Sequence, residues 1–226
     1  MKKSCKGLII LVITVFTNPV IAQEIGFNYG TRLAIGEATL SDAKLNDISS
    51  KLFVGGGIGS EYRFNNVFSV LGDFLITKKG GKGNGFTEGS SSGIFGGNNV
   101  KYTYEEEVDI IDVEIPIMLR LGYGTDDFSV GVFAGPGMNF NLVGVSSRTY
   151  DNDNFNEENG YTAKELDKKE ITEFGLTYGA GISVTAANGN IFHLDIRKNN
   201  GLSDVGKING AGVRTSYFTV SIAYTL

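Results

Sequence analysis

The stretch IIDVEIPIMLRLGYG, residues 110–124, decides the fold. Its odd positions are Ile111, Val113, Ile115, Ile117, Leu119, Leu121 and Tyr123, all apolar. Its even positions include Asp112, Glu114, Pro116, Met118 and Arg120, which carry three charges. A period of two is the signature of a β-strand. A soluble sheet would bury the apolar face. A barrel in a membrane would turn it to lipid and fold the charges inward.

The same alternation recurs on both sides. It predicts eight strands, near 25–35, 51–64, 67–77, 108–123, 127–142, 170–187, 190–198 and 213–226. The connections after the second, fourth and sixth are short: Asn65–Asn66, Thr125–Asp126 and Asn188–Gly189. The last is a hairpin signal. The connections after the first, third, fifth and seventh are long and polar. Strict alternation of short and long turns describes an all-β, eight-stranded antiparallel up-and-down transmembrane β-barrel with short periplasmic turns and long outer loops.

Each predicted strand passes the same face test. Leu33 and Ile35, Leu52 to Ile58, Phe74 and Ile76, Val130 and Val132, Phe174 to Tyr178, Leu194 and Ile196, and Val220 and Ile222 form apolar rows without a central charge. The opposite faces hold Arg32, Glu61, Arg63, Asp73, Asp112, Glu114, Arg120, Glu173, Asp195 and Arg197. They also hold glycines, among them Gly55, Gly57, Gly59, Gly131, Gly135, Gly137, Gly175, Gly179 and Gly181. A soluble lipocalin-like carrier would show this alternation with its charged face outward. A solvated outer face has no need of so many glycines, whereas a narrow eight-stranded interior does. Phe27, Tyr62, Phe64, Phe68, Tyr123, Phe128, Phe192 and Tyr224 gather at the short-turn rim, as a membrane–water interface requires. Pro116 and Pro136 cannot donate to a ladder, so a bulge or a local gap is expected where their strands meet.

The 226 residues suit one sizeable domain. A net charge of -5, with no basic stripe, argues against a nucleic-acid partner. No apolar run reaches the roughly 20 residues of a spanning helix. Lys2, Lys3 and Lys6, the apolar run 8–16 and the sequence Val20-Ile21-Ala22 predict a secretory signal peptide over 1–22, followed by a barrel domain over 23–226. The single cysteine, Cys5, lies within that signal. The exported chain would then have no disulfide and rely on its own sheet.

Two motifs carry a family resemblance: EIPIMLR (114–120) in the fourth strand and GLSDV (201–205) after the seventh. With them the chain resembles the PorT-like outer-membrane β-barrel family over about 25–226. The resemblance implies an outer-membrane barrel, a link to protein secretion for some members, and no common ligand or reaction.

The inward charges are the strongest constellation. They read either as a selective pore or as an ion-pair network filling a narrow barrel; eight strands leave little lumen, which favours the network. His193, the one histidine, faces inward near the periplasmic rim, away from any lipid substrate, so a Ser–His–acid hydrolase is not expected. No metal or cofactor is expected. DNDNFNEENG (151–160) has Asp151 and Asp153 at calcium-loop spacing but fails at Phe155 and Asn156, and reads as an acidic solvated loop. KKGGKGNGFTEGSSSGIFGG (78–97) reads as a mobile outer loop. Lys78, Lys198 and Arg214 fall at the long-loop rim of the lipid face, where they would meet headgroup phosphates or snorkel. The expectation is a non-enzymatic outer-membrane barrel with a structural or interaction role through its outer loops. Its partners would be outer-membrane lipid, lipopolysaccharide, or envelope and secretion proteins. The alternatives are a secretion-system accessory, a small-solute pore and the lipocalin-like carrier.

Overall fold

The computed structural model describes residues 26–41, 46–65, 67–90, 99–125, 127–150, 164–165, 172–204, 206–208 and 211–226. The expected signal peptide and the 151–160 stretch lie outside them. Eight long strands form the wall: β1 (Phe27–Ser41), β2 (Asn46–Arg63), β3 (Phe68–Ser90), β4 (Asn99–Gly124), β5 (Phe128–Tyr150), β7 (Thr172–Thr185), β8 (Ile191–Gly201) and β10 (Ala211–Thr225). Two short pieces, β6 (Lys164–Glu165) and β9 (Gly206–Ile208), pair with β5 and β10. Each long strand pairs antiparallel with the next, and β1 pairs with β10 from Gly30↔Thr225 to Ser41↔Arg214. The sheet is therefore a closed barrel.

The exposed side chains settle which face is which. Leu33, Ile35, Leu52, Ile58, Ile76, Ile117, Leu119, Val132, Ile196 and Ile222 are all exposed, while Arg32, Glu61, Asp73, Asp112, Glu114, Arg120, Glu173, Asp195 and Arg197 are buried inside. A soluble carrier would have these faces reversed. At the short-turn rim, aromatic rings pair: Tyr62 with Phe64 at 4.9 Å and Phe192 with Tyr224 at 5.0 Å between centroids.

The strands outrun the sequence reading at their outer ends. β4 has 26 residues, against roughly 9–11 needed to cross a bilayer. More than half of it stands outside the lipid band. The expected mobile loop at 78–97 is corrected accordingly: residues 78–90 are strand, paired with β4 out to Ser90↔Asn99. The inward parity of β3 continues through Lys79, Gly81, Gly83 and Gly85, and buried Tyr104, Glu106, Val108 and Ile110 of β4 fill the space they leave.

The two prolines produce the gap and no bulge. The β4–β5 ladder is interrupted between Pro116↔Gly137 and Leu119↔Ala134, and the register is the same on both sides. The register shift lies farther out, between Ile111↔Val143 and Asp112↔Asn141. There Leu142 and Val143 are both exposed, and beyond them the faces of β5 swap. The 186–190 hairpin closes through Gly189 N–H to the Ala186 carbonyl at 2.9 Å. Gly189 has φ +86°, a conformation costly for residues with a Cβ.

Candidate functional site

Three charged layers cross the barrel interior. The middle layer is a ring of two arginines and two aspartates from β1, β3 and β8. Arg32 donates from Nε to Asp73 Oδ1 at 3.0 Å and from Nη1 to Asp195. Arg197 donates to Asp73 Oδ2 at 2.5 Å and to Asp195 Oδ2 at 3.0 Å. The Ser221 hydroxyl accepts from Arg32 at 2.9 Å. Two positive and two negative groups balance, each with charge-assisted partners.

The layer at the short-turn end centres on Glu61 and Arg120. Arg120 donates to Glu61 Oε1 at 3.0 Å, to Ser129 at 3.1 Å and to Ser183 at 3.0 Å. Ser69 donates to Glu61 Oε1 at 2.7 Å, and Arg63, half-buried at the mouth, reaches Glu61 Oε2 at 3.1 Å. The outer layer holds a residue that the sequence reading passed over. Lys79, with its side chain fully buried, lies 2.7 Å from Asp112 Oδ2 and 3.5 Å from Glu173 Oε2. Asn139 and Thr215 donate to Glu173, each with a bond of 2.9 Å. Glu114 shares this layer, buried with the Tyr217 hydroxyl facing its carboxylate. The signal for Lys79 was parity, since Asp73, Leu75 and Thr77 point inward and Lys79 is next in that row.

Inward glycines make room for these cations. A Cβ on Gly59 would meet Asp73 Oδ1 at 2.9 Å and Arg32 Nε at 3.1 Å, and one on Gly131 would lie 2.7 Å from Arg120 Nε. Apolar clusters fill the rest of the bore: Leu71, Met118 and Phe133 in one, and Ala34, Ala38, Phe53 and Tyr217 in another. At the short-turn mouth a cavity of about 30 Å³ remains, lined by Glu61, Arg63, Ser69 and Arg120.

His193 meets a serine and an acid there. Its Nδ1 lies 2.9 Å from Ser183 Oγ and its Nε2 lies 3.9 Å from Glu61 Oε2. The residue types match a nucleophile, base and acid. However, Ser183 is 3% exposed and His193 5% exposed. Ser183 Oγ already accepts from Arg120. Buried and engaged in this way, the set forms a hydrogen-bonded brace between β4, β7 and β8.

The three cations expected at the lipid face have different surroundings. Arg214 Nε is 3.0 Å from Asp204 Oδ1, and Lys78 Nζ is 3.9 Å from Asp109 Oδ1. Lys198 has no carboxylate partner among the described residues. GLSDV folds back on β7: Leu202 N–H donates to the Phe174 carbonyl at 2.7 Å, and Phe174 N–H donates to Ser203 Oγ at 2.8 Å. Beyond the lipid band, Lys51 bridges Glu107 at 2.6 Å and Asp109 at 2.7 Å. The hydrogen bond from Lys51 holds the Glu107 carboxyl below its ordinary value.

The family model described as "Outer membrane protein beta-barrel domain" matches residues 8–225. No curated protein matches the chain. Among solved structures, the attachment invasion locus protein Ail of Yersinia pestis, crystallised with the heparin analogue sucrose octasulfate, is 14% identical, with 88% of this chain and 99% of that one covered at a TM-score of 0.39. OprG of Pseudomonas aeruginosa is 13% identical, with 88% and 93% covered at 0.46. Neisserial surface protein A is 15% identical, with 88% and 97% covered at 0.38.

Proposed function

The chain belongs to the outer membrane protein beta-barrel domain family, and on that premise we propose that it is a non-conducting, non-enzymatic anchor that presents its outer strand extensions to partners at the cell surface. The barrel sits in the outer membrane with its apolar face in lipid. The observation that carries the proposal is the filled bore. Three charged layers, interleaved with apolar clusters, occupy the lumen, and opening a path would separate buried ion pairs such as Arg32–Asp73 and Lys79–Asp112. Separation of that kind costs several kcal/mol, about 3–5 per broken pair. Material with nowhere to pass leaves the outer extensions of β3, β4 and β5 as the working surface. Planar-bilayer recording tests this: the reconstituted barrel gives no unitary conductance above the lipid background. Reproducible channels from purified protein would overturn it in favour of a small-solute pore.

EIPIMLR and GLSDV support a second, finer reading, that the chain is a PorT-like member and an accessory of a secretion system. GLSDV clamps β8 to β7 at the outer rim. Crosslinking from Leu202, which is exposed beside that clamp, tests it. Recovery of a secretion-system component supports the reading, and recovery of lipid alone counts against it. We propose also that residues 1–22 are an export signal removed after Ala22.

A further inference from the structure

We infer that the lipid-facing wall of β4, β5, β7 and β8 carries a seat for one lipid A molecule of the outer leaflet, with a phosphate at Lys198 and an acyl chain over Ala134 and Ala180. The inference goes beyond the anchor proposal and rests only on the barrel's place in the membrane.

Most of the lipid face is raised by Leu, Ile, Val and Phe. Where β5 meets β7 it is not. Ala134 pairs with Tyr178 and Val132 with Ala180, so two alanines lie diagonally side by side. They floor a groove of about 690 Å³ whose walls include Leu119 and Ile196. It continues past Leu121 and Ala180 toward Tyr123 and Leu194. From Lys198 to Leu194 the groove follows four strand residues, roughly 13 Å. That length suits an extended acyl chain lying along the wall.

The upper end of the groove is not apolar. Lys198 lies between Tyr178 on β7 and Phe218 on β10, its partners across both ladders. All three line the groove. A cation on a lipid-facing row is costly unless it reaches water or an anion. Arg214 and Lys78 have carboxylates nearby, and Lys198 has none among the described residues. An anion from the membrane would complete what the described residues leave open. Cation above and apolar trough below match a phosphate above and an acyl chain below. The cation lies on the long-strand side, so the headgroup belongs to the outer leaflet. That leaflet's phosphorylated acyl lipid is lipid A.

The full mature barrel, extracted in mild detergent, is stripped of lipid and titrated with purified lipid A and, in parallel, with phosphatidylglycerol. Native mass spectrometry reads the bound lipid. One lipid A per barrel is expected, with phosphatidylglycerol retained less well. Lys198→Gln weakens retention about tenfold, the loss of one charge-assisted contact. Lys198→Arg retains it. Ala180→Phe fills the trough and weakens retention by a similar factor, while heat-dependent gel mobility shows that the barrel still folds. Unchanged binding in both Lys198→Gln and Ala180→Phe overturns the inference, as does equal retention of phosphatidylglycerol. A mass of two barrels without lipid would assign the groove to a second copy instead. None of these outcomes bears on conductance or on the outer extensions.

Discussion

Replacing Asp73 with Asn removes one negative charge from the middle ring and keeps the side chain's shape. Asp73 accepts from Arg32 Nε at 3.0 Å and from Arg197 Nη1 at 2.5 Å. Each charge-assisted bond is worth about 1.5–3 kcal/mol. The amide that replaces it has a single acceptor oxygen, so one guanidinium loses one of its two carboxylate partners while buried. Two cations then share Asp195 alone. Breaking a buried pair from one side costs about 3–5 kcal/mol. The middle of that range lowers the folding equilibrium roughly a thousandfold. Urea unfolding in lipid vesicles, followed by the gel mobility of unboiled samples, measures the loss as a lower midpoint. The companion variant converts the whole ring, Arg32→Met, Asp73→Leu, Asp195→Leu and Arg197→Met. It is expected to lie much closer to the natural protein, because an apolar replacement leaves no unpaired charge. A cost below about 1 kcal/mol for Asp73→Asn, the level of a surface pair, would refute the claim that the ring is dry and mutually dependent.

Lys79→Met leaves Asp112 and Glu173 without their cation and is expected to cost about 3–5 kcal/mol in the same assay. Gly189→Ala forces a Cβ into a left-handed conformation but meets nothing within 4 Å. Its cost is about 1–2 kcal/mol, all of it backbone strain, and the barrel still forms. The Lys51–Glu107 bridge makes the outer collar pH-sensitive. The Glu107 carboxyl is lowered on folding, so its contribution is complete above its ordinary value of 4.5 and fades as pH falls through the lowered one. Hydrogen exchange at the outer end of β4 should speed up in that window, and Lys51→Ala should weaken the dependence, leaving only Lys82 at 3.6 Å from Glu107. Intact-mass measurement of outer-membrane protein is expected to begin the chain at Gln23.

The wall was legible because both faces of each strand are chemically extreme. In 110–124 every odd residue from Ile111 to Tyr123 is apolar, and a strand of that kind has only two orientations. The glycines resolved the choice, and Gly59 and Gly131 show why: an arginine rests against each. The outer extensions were illegible for the opposite reason. Beyond Thr77 the inward row of β3 is lysine and glycine, making room for larger side chains of other strands, so the alternation weakens and the composition imitates a loop. Lys79 disappeared with that boundary. The β5 face swap could not be read because Leu142 and Val143 are both apolar, and a bulge between such residues leaves no mark in the pattern. That Lys198 has no acid partner among the described residues depends on where Asp204 and Asp109 end up, which no local pattern specifies.

The seam between β1 and β10 has a consequence for biogenesis. Gly30 pairs with Thr225, so nearly the whole barrel lies between two residues that must meet. Until β10 has been made and delivered, β1 keeps an open edge, ready to template pairing with any other strand. In lipid such an edge is intolerable, because its amides and carbonyls have no water to turn to. A truncated chain lacking β10 is therefore no smaller barrel but a sheet with two raw margins. Both edges are satisfied in one event, when the first strand meets the last.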